Sequence, residues 1–180
     1  MNQMRIIESQ AEAAIPMVVA YNPASGHYRA ERVAALIAAL THRGFAPSLI
    51  ATRPDGIDIP GDARLVCVAG GDGTLRMVAE ALGDRIDQVA LAIFPSGTVN
   101  LVARELGYSR EPEHFARQIA AGWARPRDCW PFSPCARHDG KPVMACLSIG
   151  PDSAAVAHFS PALKLRIGRM AYVVAFAKLL

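Results

Sequence analysis

Three apolar runs in this chain each end in a turn of small residues, and each turn leads into a segment with helical periodicity. Met17–Tyr21 ends in Asn22-Pro23-Ala24-Ser25-Gly26. Leu65–Ala69 ends in Gly70-Gly71-Asp72-Gly73-Thr74, and Val89–Phe94 ends in Pro95-Ser96-Gly97-Thr98-Val99-Asn100. Short unbroken apolar runs suit strands buried on both faces, as in parallel sheets. Strands alternating with helices point to an open, mostly parallel α/β sheet. In such sheets ligands bind at the carboxyl ends of the strands, and all three turns leave that edge. Glycines there let backbone N–H groups converge on an anion, and a following helix adds its positive end. Together the turns predict a phosphate cradle. Asp72 is the exception in it: a carboxylate repels phosphate unless it holds Mg²⁺, touches a sugar hydroxyl or accepts a substrate proton.

The elements between the turns fit the same layout. Val33, Leu36, Ile37 and Leu40 make one apolar stripe, predicting a helix over Ala30–Arg43 that stops at Gly44. Ser48–Thr52 reads as a strand. The link from Arg53 to Ala63 carries Pro54, Gly56, Pro60 and Gly61, which excludes a crossover helix and predicts an extended connection. Further helices are predicted over Thr74–Leu82, capped by Thr74 if the Gly70–Thr74 segment is only a tight turn, and near Val99–Leu106 and Glu113–Ala121.

Composition excludes several classes. Of the 180 residues, 52% are apolar and 19% charged, so a core is assured and disorder is excluded as the general state. A net charge of +3 gives no case for a nucleic-acid partner. No lysine precedes Lys141, which excludes a Walker-type loop and leaves phosphate charge to backbone dipoles, Mg²⁺ and Arg29 or Arg76. Cys67, Cys129, Cys135 and Cys146 form no C-x-x-C pair, and the five histidines show no ligand spacing. A zinc or disulfide framework is therefore not expected, and a reducing cytoplasm is. The longest uncharged stretch, Gln88–Ala103, is broken by Pro95-Ser96-Gly97, so no transmembrane segment is expected and any membrane contact is peripheral.

The character of the chain changes after Gly122. Residues 1–122 carry 11 basic and 13 acidic side chains, whereas residues 123–180 carry 8 and 3. Asp139-Gly140 between the runs Arg127–Ala136 and Lys141–Ile149 is a hairpin signal. The division expected is an α/β domain over 1–122 and the start of an antiparallel domain over 123–180. A helix from about Ala162 would run to Leu180 without cap or stop, which suggests a truncated chain. Lys164, Arg166 and Arg169 beside Leu163, Leu165, Ile167 and Met170 form either a solvated basic face or one drawn to anionic membrane.

The three turns, with Leu101-Val102-Ala103-Arg104, Ser148–Ala154 and Leu163–Tyr172, resemble the diacylglycerol kinase catalytic domain family, which includes bacterial lipid kinases and sphingosine kinases. The Gly70–Thr74 turn alone also suits NAD kinases and is similar to phosphofructokinases; the segment from Pro95 to Asn100 favours the lipid kinases. The resemblance implies a nucleotide-binding α/β domain followed by a β-sandwich, with ATP as donor, Mg²⁺, and a lipid alcohol met at a membrane surface. It is compatible with a homodimer and with a cytoplasmic protein peripheral to the inner membrane. Carried over residue by residue, it implies nucleotide contacts at Asn22, Pro23, Ala24, Ser25, Gly26, Thr52, Gly70, Gly71, Asp72, Gly73, Thr74, Leu75, Arg76, Gly97, Thr98 and Asn100, with Asp72 catalytic or metal-linked. The chain departs from the family at Arg76-Met77, where Asn-Glu is usual and Glu80 lies one helical turn on. It departs again at Gly150-Pro151-Asp152-Ser153, where Gly-Phe-Asp-Ala is frequent. A nucleotide-binding protein that does not phosphorylate is the alternative reading; NAD kinase is a weaker one.

Overall fold

The computed structural model describes residues 13–25 and 27–124, the two-residue strands 137–138 and 141–142, and residues 170 and 174. Four strands form one sheet: β1 (Ile15–Tyr21), β2 (Phe45–Ala51), β3 (Leu65–Gly70) and β4 (Ala90–Pro95), in the order β2-β1-β3-β4. Every pairing in it is parallel. The unbroken apolar runs are explained by burial on both faces. Val18 and Ala20 of β1 and Val66 and Val68 of β3 point to one face, where α2 (Asp72–Leu82) packs Leu75, Val78 and Leu82 against them. Met17, Val19, Cys67 and Phe94 point to the other, against Leu36 and Leu40 of α1 (Ala30–His42) and Phe115 of α4 (Pro112–Ala124). A short α3 (Leu101–Glu105) follows β4 and buries Val102 and Ala103. Cys67 is wholly enclosed, and burial pushes its thiol up to about 12, so it is a core residue and not a nucleophile.

The expected α/β sheet is therefore present, with several boundaries moved. β2 begins at Phe45, not Ser48. Pro47 lies inside it and is tolerated because β2 is an edge strand hydrogen-bonded to β1 alone, while the burial of Phe45 anchors its start. α2 begins at Asp72 with Gly71 as its cap, so Thr74 sits inside the first turn and is not the cap. α3 starts two residues later than the periodicity suggests, because Asn100 before it is left-handed at φ 57°. α4 starts at Pro112, a favoured first helical residue, and Glu111 accepts hydrogen bonds from the Glu113 and His114 amides. Those bonds hold the Glu111 carboxyl below its ordinary value.

The link between β2 and β3 is extended, as its prolines and glycines require. It makes a tight turn at Arg53–Gly56 and then buries Ile57 and Ile59 in the core on the α2 face. Beyond α4, β5 (Arg137–His138) pairs antiparallel with β6 (Lys141–Pro142) around Asp139-Gly140, and β6 lies beside α2. Met170 and Val174 are helical and exposed. The longer strands over 127–136 and 143–149, and the remainder of the helix expected from Ala162, lie outside the described residues.

Candidate functional site

The three turns meet at the carboxyl edge of the sheet. Parallel register places the ends of β1, β3 and β4 side by side, with Tyr21 opposite Ala69 and Gly70 opposite Pro95. The Ser96 amide donates to the Gly70 carbonyl (3.2 Å), extending the β3–β4 ladder into the turns. There the second and third turns come into backbone contact. A Cβ on Gly97 would lie 2.6 Å from Gly71 Cα, and one on Gly71 would lie 3.2 Å from Gly97 Cα. No other residue fits at Gly97 without moving the backbone beside it.

Asn100 and Asp72 lock this contact. Asn100 is 1% exposed; its Oδ1 accepts from the Gly97 amide (2.9 Å) and its Nδ2 donates to the Gly97 carbonyl (2.8 Å). The Asp72 carboxylate reaches from the start of α2 to the start of α3, accepting from the Leu101 (3.1 Å) and Val102 (3.2 Å) amides. A carboxylate at those unpaired amides is favoured by charge and by hydrogen bonding. The side chain read from the sequence as metal-linked or catalytic thus also ties two helices together.

The first turn closes the opposite side. Asn22 Oδ1 accepts from the Ala24 amide (2.9 Å), and the Tyr28 amide donates to the Ser25 carbonyl (2.9 Å). Tyr28 stacks on Tyr21 at 5.7 Å between centroids. His27 Nδ1 lies 3.3 Å from Thr98 Oγ1, spanning from the first turn to the third. Between the turns is an open cleft lined by Asn22, Ser25, His27, Arg32, Gly70 and Ser96, among others.

Of the residues named from sequence, Asn22, Ser25 and Gly70 line this cleft. Pro23 and Ala24 are exposed on the first turn, and Gly26 lies outside the described residues. Gly71, Asp72, Gly97, Thr98 and Asn100 are gathered beside it by the contacts above. Thr52 follows β2 directly and is buried, its amide donating to the Tyr21 carbonyl (2.8 Å). Gly73 is exposed at the start of α2. The side chains of Thr74 and Leu75 turn into the protein, so these positions offer backbone alone. Arg76 is paired with Glu80 at 3.1 Å on the exposed side of α2.

Arg32 is the residue that sequence reasoning missed. From the first turn of α1 it donates to the Arg110 carbonyl (2.8 Å) and the Pro95 carbonyl (3.4 Å), with its guanidinium 5.1 Å above the Phe94 ring. Its Nε is buried without a partner. Burial, then the charge of Arg110, lowers its pKa. Nothing in the local pattern separates this arginine from Arg29 or Arg43, since its partners are carbonyls far along the chain.

Comparisons with known proteins give the chain's relatives. The chain is 39% identical over 114 residues to a Pseudomonas aeruginosa (strain UCBPP-PA14) protein named "Probable lipid kinase YegS-like", covering 63% of this chain and 35% of that one. A protein of the same name from Stenotrophomonas maltophilia (strain K279a) is 36% identical over 99 residues, covering 52% and 30%. The chain thus spans about a third of the length of these relatives. The solved structure of a diacylglycerol kinase from Bacillus anthracis str. Sterne aligns with a TM-score of 0.47 at 22% identity, covering 59% of this chain and 39% of that one. The family model of the diacylglycerol kinase catalytic domain matches residues 16–131, well over half of the sequence, and the chain belongs to that family.

Proposed function

We propose that the carboxyl edge of this sheet binds ATP, and that the protein is a lipid kinase passing the γ-phosphoryl group to the hydroxyl of a diacylglycerol-like or sphingoid lipid. The observation that carries this reading is the contact between Gly71 and Gly97. It brings two glycine turns together at a site where side chains are excluded, and a phosphate chain needs backbone amides free of side chains. The first-turn amides of α2 have no helical partner and add their dipole. The relatives' names and the family match support the kinase assignment.

In this reading Asn22 to Gly26, Thr52, Gly70 to Arg76, Gly97 and Thr98 surround the nucleotide, with Asn100 shaping the turn from beneath. Phosphoryl transfer depends mostly on positioning and charge stabilisation. Asp72 holds the second and third turns in register. Each of its oxygens keeps a lone pair beyond the bond to α3, so the same carboxylate can take the proton of the lipid hydroxyl. Among the described residues no three His, Cys, Asp or Glu side chains gather to hold a metal ion, so Mg²⁺ would come with the nucleotide phosphates.

Calorimetric titration with Mg·ATP tests the site. Gly71→Val places a branched side chain against Gly97 and should weaken binding at least tenfold, about 1.4 kcal/mol or more. Parent-like binding by this variant would remove the cradle. Transfer of radiolabel from ATP to diacylglycerol or sphingosine in mixed micelles tests the kinase assignment, and binding without transfer supports the non-phosphorylating alternative.

A further inference from the structure

The cationic side chains in and near the cleft are committed to other partners. Arg32 is held by the carbonyls of Pro95 and Arg110, Arg29 Nη1 donates to the Tyr28 carbonyl (2.7 Å), and Arg76 is paired with Glu80. No lysine occurs before residue 141. His27 differs: it lines the cleft, and its Nδ1 meets Thr98 Oγ1 across it. That bond forms with either protonation state, because the Thr98 hydroxyl donates to a bare Nδ1 and accepts from a protonated one. In both cases Nε2, on the far side of the ring, remains for a ligand.

We propose that His27 is an additional phosphate contact of the nucleotide site, held in place by Thr98, and that its protonation strengthens nucleotide binding. The proposal rests on the ATP reading above and adds to it a residue that supplies charge where the chain has no lysine. The charged groups on the neighbouring elements are Arg29, which caps α1, Glu31 and Arg32 in its first turn, and Asp72, Arg76 and Glu80 of α2; the turn from Pro95 to Asn100 carries none. Tyr28 is the adjacent titratable group on the first turn. The Asp72 carboxylate is bonded to the amides of α3, so no acidic partner is bonded to His27 to take the place of an incoming phosphate.

Histidine changes charge between about pH 5 and pH 8, and an exposed ion pair changes affinity modestly. Mg·ATP binding to the parent chain should therefore tighten roughly three- to fivefold from about pH 8 to about pH 5.5, beyond any change seen in His27→Gln. His27→Gln keeps a hydrogen-bonding side chain and cancels the nucleotide's own titration from the comparison. His27→Lys, charged throughout, should bind at pH 8 as tightly as the parent does at pH 5.5. Identical pH profiles for parent and His27→Gln overturn the inference. If Gly71→Val still weakens binding at least tenfold in that case, the ATP reading stands alone. If the parent binds no nucleotide at either pH, both fall.

Discussion

Asn100 is the only described non-glycine residue with a positive φ, and its side-chain amide spends both its donor and its acceptor on Gly97. Two separate effects can be resolved there. Asn100→Ala loses both hydrogen bonds and also places an alanine in left-handed backbone; at about 1 kcal/mol per bond and 1–2 kcal/mol for the backbone, it should destabilise the protein by about 3 kcal/mol. Asn100→Gly removes the backbone cost and should lose roughly 2 kcal/mol. Urea unfolding of the pair measures the difference, and equal losses would mean that the left-handed geometry carries no cost here. The sequence marked Asn100 as part of a binding turn, because it closes the Pro95–Asn100 segment that leaves a strand and leads into a helix. It could not show that the side chain faces inward, since that depends on Gly97 being pressed against Gly71, a contact between segments about 26 residues apart in the chain. Asp72 is similar: its position in a glycine turn was legible, but its bonds to Leu101 and Val102 exist only once α2 and α3 are side by side.

At the scale of elements, the core helices and strands were legible because their periodicity reports burial directly. The stripe of α1 and the apolar runs of β1, β3 and β4 all pack as their spacing requires. The boundaries that moved did so for local reasons outside that periodicity. Gly71 took the cap expected at Thr74, and a left-handed Asn100 delayed α3. What periodicity cannot report is how elements are tied at their ends, and Arg32 does this for α1, β4 and the segment before α4. Its guanidinium lies over Phe94, which in turn meets Phe115 edge-on at 5.2 Å. Arg32→Met keeps much of the side chain over Phe94 while removing both bonds to carbonyls. It should cost about 1–2 kcal/mol and raise amide exchange across residues 96–99, leaving the centre of β1 protected. Hydrogen-exchange mass spectrometry follows each segment separately. Unchanged exchange at 96–99 would show that the turn after β4 does not depend on α1.

At the scale of the whole molecule, charge is divided along the chain, and that division was legible from composition alone. Residues 1–122, which contain the sheet, carry 11 basic and 13 acidic groups, and residues 123–180 carry 8 and 3. Under the proposed function the carboxyl edge would have to meet a lipid at a bilayer surface; among the described residues no helix is long and apolar enough to cross one. Electrostatic attraction is one way for the basic stretch to contribute. Met170 and Val174 are each helical and exposed, and Lys164, Arg166 and Arg169 precede them in the sequence. Exposed apolar residues with basic neighbours in the sequence suit the surface of an anionic membrane. Each basic group near such a surface contributes about 1 kcal/mol, so three together should tighten binding by at least roughly tenfold over a zwitterionic surface. The full chain should therefore sediment with vesicles rich in phosphatidylglycerol far more than with phosphatidylcholine alone. Salt should weaken this binding, because the Debye length falls to about 3 Å at 1 M. Changing Lys164, Arg166 and Arg169 together to Gln should remove the preference for phosphatidylglycerol while leaving Mg·ATP binding unchanged. Met170→Ser should weaken binding to both vesicle types alike, because it removes apolar contact and no charge. Equal sedimentation with the two vesicle types, or a preference that survives the triple change, would show that the basic stretch is a solvated face and that the lipid is reached by other means.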